Sequence, residues 1–186
     1  LIEEASAPFA GAGVKGMPDG DLGIALLKEC RRRLFDESLP RIRTCLAQMT
    51  VEEIWARPND QTVSAGNLVL HLAGNVRQYV LATLGGVPDL RERQKEFDEP
   101  GPMATADLLE RLEKAMAEVS SVLDRLDPST LLRTHRVQGF VESGLSILVH
   151  VVEHFSYHTG QIAYIVKSRK NVDLGFYRGK DLNKRG

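Results

Sequence analysis

The chain has 186 residues, 42% hydrophobic and 26% charged, the balance of one globular domain with enough apolar side chains to bury a core. Its 24 Lys and Arg nearly cancel its 25 Asp and Glu, which argues against a nucleic-acid binder relying on bulk positive charge. No apolar run approaches a membrane span and no basic-then-apolar leader opens the sequence, so a cytoplasmic protein with no membrane partner is expected.

Residues 1–20 are rich in Gly, Ala and Pro and are expected to form an irregular arm lying across the domain or a partner subunit. Asp21 can start a helix whose inward positions are Ile24, Leu27, Leu34, Ile42, Leu46 and Met49, with Pro40 expected to kink or divide it. Cys30 and Cys45 both fall on this helix, roughly 22 Å apart if it is continuous. That separation forbids a disulfide and fits reduced thiols in the cytoplasm. Thr50 and Glu53 form a capping box over one turn, which Pro58 stops, and Trp55 is expected to pack over the end of the domain.

Ser64 caps a second helix running to Gly85 and Gly86, with an apolar stripe of Ala65, Leu68, Leu72, Val76, Tyr79 and Thr83. His71 lies at the flank of that stripe, and Asn75 follows one turn later on the same side. Residues 87–103 are polar, charged and bracketed by prolines; the default is a solvated loop, but at this length connections often carry function. Thr105 is expected to cap a third helix to Leu126, with Leu108, Leu109, Leu112, Met116, Val119 and Leu123 inward, ended by Pro128. Residues 133–143 alternate weakly and read as a short extended excursion with His135 exposed.

Ser143 then caps the strongest helix, through Lys167, in which Ile147, Val151, Phe155, Ile162 and Val166 recur at helical spacing. The basic, Gly-containing stretch 171–186 is expected to be irregular, leaving residues 21–170 as the helical body.

Three of the five histidines, His150, His154 and His158, stand four residues apart on the last helix. Such spacing puts imidazoles on one stripe, the logic of helical metal sites. His150 and His158 are separated by roughly 12 Å along the axis, too far to share an ion. Of the remaining pairs, His154 and His158 lie nearer the apolar arc, which leaves His150 at the rim. The competing account is a packed histidine with no metal, and a further histidine from a facing helix weighs against it. Glu153 points about 100° away from His154 and so makes a poor copy of a metalloprotease base.

The motifs HLAGN (His71 to Asn75), RERQKEF (Arg91 to Phe97) and HFSYHTGQI (His154 to Ile162) resemble the DinB-like superfamily, most closely its branch described as a domain of unknown function. The resemblance runs from about Leu39 to Gly179. It implies an all-α four-helix bundle in up-down-down-up order, often a homodimer, with a divalent metal held by His71, His154 and His158. Imidazole ligands suit several ions, and zinc or nickel is expected. Relatives of this kind include transferases using low-molecular-weight thiols and a mycothiol-dependent maleylpyruvate isomerase. The implied activity is therefore activation of a small thiol or water for attack on an electrophile, as in a thiol S-transferase or a hydrolase. The alternative is a non-catalytic, dimeric metal-binding bundle acting in stress response. DNA binding, which the superfamily's name suggests, has little support from the charge balance.

Asn75 and Gln161, each within about a turn of a ligand on the same helix side, are candidates to orient the ligands. Arg91 and Arg93 could bind an anionic substrate group at the mouth, or equally form surface salt bridges with Glu92, Glu96 or Asp98.

Overall fold

The structure, a computed structural model, describes residues 19–185. The arm expected over residues 1–20 lies outside them except at its last two residues, where helix α1 has already begun (Asp19–Arg31). The chain stays helical past Arg31, but the stretch Arg32–Ser38 widens into a π-helical segment before α2 (Leu39–Leu46). Pro40 sits in the first turn of α2 and has no N–H to donate backwards. The Leu39 N–H bonds to the Leu34 carbonyl five residues back, and that wider turn accommodates the proline. Leu27, Leu34, Ile42, Leu46 and Met49 are buried as expected, whereas Ile24 is 57% exposed. The inward stripe therefore starts a turn later than its periodicity suggests.

Thr50 and Glu53 cap α3 (Val51–Trp55) reciprocally. The buried Trp55 donates its indole N–H to the Met103 carbonyl at 3.0 Å. Ser64 and Asn67 form a second reciprocal box at the start of α4 (Ala65–Val76), which runs on through a π-helical segment, Arg77–Leu84. The connection 87–103 is not simply solvated, since it contains the short helix α5 (Arg93–Asp98) packed against α4. Helix α6 (Thr105–Arg125) begins with Ala104 in extended conformation at the N-cap position and no side-chain cap. Thr105 is thus already helical, one residue too late for its hydroxyl to cap.

A 3-10 turn (Pro128–Thr130) leads into an antiparallel hairpin, β1 (Thr134–Val137) and β2 (Phe140–Ser143), with Val137 opposite Phe140. Gln138 and Gly139 both have positive φ, the requirement of the tight two-residue turn that suits strand twist. His135 is half-buried on this hairpin rather than exposed. Ser143 ends β2 and accepts from the Ser146 N–H at 3.0 Å, so one residue closes the strand and starts α7 (Gly144–Lys170).

The fold is mostly helical with one small two-stranded sheet. Helix α4 packs on α6 and α7, and α7 packs in addition on α2. The core between them contains Ile42, Leu46, Leu72, Leu112, Met116, Ile147, Phe155 and Ile162, all fully buried. Cys30 and Cys45 are buried free thiols, and burial pushes each up to about 11. Beyond Lys170 the chain forms turns, with Arg41 over the rings of Phe176 and Tyr177. No described helix is long and apolar enough to cross a membrane.

Candidate metal centre

Helix α7 buries Phe155 and Ile162 completely, and the same face carries His154 and His158 inward against α4. From α4 comes His71, 5% exposed, one residue before the buried Leu72. The three rings meet: centroids are 4.8 Å apart for His71 and His154, 5.1 Å for His71 and His158, and 4.4 Å for His154 and His158. One nitrogen from each lies within 4.8 Å of the others, close enough that the three could hold one metal ion. Zinc–nitrogen bonds of about 2.0–2.1 Å need the nitrogens closer together than that upper limit.

The chemistry of the donors fits a cation. Burial, then the positive potential of His158, His71, His150 and Arg91, drives His154 down to about 3, so its ring is neutral at ordinary pH. Burial also lowers His158, with the Gln161 hydrogen bond opposing it in part. Neutral imidazoles are the form a metal requires. The His154 Nε2 is buried with no hydrogen-bond partner among the described residues. An orphaned polar atom costs roughly 1–3 kcal/mol, which a ligated cation would offset.

Around this cluster the other expected residues divide. Gln161 places its Oε1 2.6 Å from His158 Nδ1. Asn75, 3% exposed, lies 3.3 Å from the His150 Nε2 instead of reaching a cluster histidine, and its own carbonyl oxygen has no partner among the described residues. His150 stacks on Tyr79 at 4.3 Å and on His154 at 5.3 Å, outside the cluster of three. Glu153 is exposed.

The two arginines occupy different settings. Arg93 is exposed and lies over the Phe97 ring at 4.8 Å, and that ring in turn packs on His71 at 4.7 Å. The Arg91 side chain is only 3% exposed. Its Nε donates to Glu96 Oε1 at 2.7 Å, one terminal nitrogen to Glu96 Oε2 at 2.8 Å, and the other to Gln78 Oε1 at 2.9 Å.

Sequence reasoning misses Glu96 and Phe97 as parts of the site. Glu96 enters it only as an ion-pair partner, yet its Oε2 lies 2.7 Å from His71 Nδ1. Burial pushes the Glu96 carboxyl up, but hydrogen bonds from Arg91 and then His71 outweigh it and hold the carboxyl below its ordinary range. Asn67 ties this stretch to α4 by donating to the Glu96 and Glu99 carbonyls at 3.0 and 2.9 Å, and Arg57 donates to the Phe97 carbonyl at 2.5 Å. The signals in the sequence are the RERQKEF motif, which contains both residues, and its place inside a connection too long to be a plain link.

Residues 21–176 match the family described as "Protein of unknown function (DUF1572)". A crystal structure of the conserved protein of a locus from Enterococcus faecalis is similar, with a TM-score of 0.59 and 19% identity over 82% of this chain and 97% of that one. At that identity the likeness speaks to the fold. No curated protein matches the chain.

Proposed function

The chain belongs to the family of proteins of unknown function DUF1572, and from that premise we propose that it is a DinB-like metal-dependent enzyme acting on a small thiol or water. In this proposal His71, His154 and His158 hold one divalent cation, zinc or nickel. The helices form a four-helix bundle in up-down-down-up order. The observation that supports the reading most is the convergence of three imidazoles from two helices, two of them driven toward the neutral form.

When bound, a cation with three protein ligands keeps an open position and lowers the pKa of a water or thiol placed there. The chain's own residues do the rest. Gln161 orients His158 by accepting from its Nδ1. Phe97 covers one face of His71, and the exposed Arg93 above it is placed to contact an anionic substrate group. The reading carries a cytoplasmic homodimer with no nucleic-acid or membrane partner, which rests on the sequence resemblance and the charge balance.

The test is conjugation of a cellular thiol to an electrophile such as monochlorobimane by the zinc- or nickel-loaded protein. Turnover that disappears on chelation and in His158→Ala is the expected result. Metal binding without thiol-transfer or hydrolytic turnover across a substrate panel would instead mark a non-catalytic metal-binding protein.

A further inference from the structure

His71 Nδ1 has two polar neighbours, Glu96 Oε2 at 2.7 Å and a terminal nitrogen of Arg91 at 3.2 Å. One ring nitrogen cannot donate and accept at once, so the two contacts demand opposite tautomers. A guanidinium only donates and a carboxylate only accepts. The Arg91 guanidinium already donates to both Glu96 oxygens and to Gln78, so nothing is lost if its nearness to His71 is not a hydrogen bond. Glu96, by contrast, is the shorter contact: its Oε1 accepts from Arg91 alone, and its Oε2 accepts from Arg91 with a lone pair to spare for His71. The contact with Glu96 therefore places a proton on Nδ1, and in the neutral ring that leaves Nε2 bare.

The backbone is arranged to permit this contact. A Cβ at position 74 would collide with Glu96 Oε1 and stand 3.1 Å from Arg91 Nε. Only glycine lets the carboxylate lie down against α4, one turn beyond His71. Asn67 fixes the same segment from the other end of the helix by holding the carbonyls of Glu96 and Glu99.

We propose that Glu96, clamped by Arg91 and admitted by Gly74, is a positioning residue that locks His71 in the Nδ1–H tautomer and turns Nε2 toward His154 and His158. The proposal deepens the three-histidine reading, but the tautomer itself is a property of the metal-free chain. On this view the connection 87–103 is a working wall of the site, and Arg91 serves the carboxylate.

Nitrogen-15 NMR of the histidine rings in the metal-free protein tests it. Wild-type His71 should carry its proton on Nδ1. In the double variant Arg91→Met/Glu96→Met, two apolar side chains replace a buried ion pair, a change that proteins commonly tolerate. There the acceptor is gone, so the proton should move to Nε2, and zinc affinity measured against a chelator should fall roughly 10–100-fold, the usual effect of losing an outer partner. Gly74→Ala keeps both charged residues but displaces Glu96, and should shift tautomer and affinity in the same direction. A wild-type ring protonated on Nε2 overturns the proposal, and so does a variant ring that keeps its proton on Nδ1. Unchanged zinc affinity in variants whose tautomer has moved would overturn the link to the metal. A wild-type chain that takes up no zinc would remove the metal reading, while the tautomer still decides this one.

Discussion

Helix α7 and the connection 87–103 both reach the same imidazole cluster, and they are built on different terms. Helix α7 contributes His154 and His158 as part of a regular surface: the rows that bury Ile147, Val151, Phe155 and Ile162 carry the two histidines inward with them. The connection contributes Glu96 and Phe97 from a single short helix, α5, none of whose residues is fully buried. It is placed by individual contacts, from Asn67 and Arg57 to its carbonyls and from Gly74 by the absence of a side chain. The lesson is that periodicity places the groups proposed to bind the ion, and tertiary hydrogen bonds place the group that orients them.

The contrast can be broken by substitution. His154→Ala should have the largest functional effect, lowering metal affinity by more than the roughly 10–100-fold expected for an outer partner, as read by chelator competition. Phe155→Ala, one residue on and fully buried, should destabilise the whole fold by about 3–5 kcal/mol in urea unfolding. Asn67→Ala should cost less, about 1–3 kcal/mol for the bonds lost at buried groups. Its signature is local: amide exchange should accelerate across residues 93–98 while α7 stays protected. If Asn67→Ala loosened α7 equally, the two regions would be one cooperative unit and the distinction between them would fail.

Acid sharpens the comparison further. His154 titrates at about 3 when folded against an ordinary 6.5, so as pH falls the unfolded chain takes up that proton first. The contribution to stability is fully present above pH 6.5 and is lost between there and about pH 3. Urea midpoints of the metal-free protein should decline over that window, and less steeply in His154→Gln. His150→Gln, outside the cluster and hydrogen-bonded to Asn75, should have the smallest effect and leave zinc stoichiometry unchanged.

The same difference explains what could be read from the sequence. His154 and His158 were legible because four-residue spacing on an uninterrupted helix fixes their direction, and Ser143 and the Thr50–Glu53 box marked their helix starts through local hydrogen bonds. His71 was legible as a flank position, and its convergence with the other two needed the packing of α4 on α7. Glu96 was not legible as an orienting group, because that depends on what position 74 lacks and on carbonyls held by a side chain 29 residues earlier. Asn75 shows the opposite limit. Helical spacing put it one turn from His71, but its amide turns to His150. The π-helical widening at Arg32–Ser38 was foreshadowed only as a kink or division at Pro40, since the sequence shows the missing donor and not the turn that absorbs it.

Elemental analysis of the full chain, purified without a histidine tag, tests the central claim most directly. The account predicts close to one zinc or nickel per chain, lost in His158→Ala with the helical circular-dichroism spectrum intact. Wild-type protein that stays metal-free after incubation with either ion would contradict it.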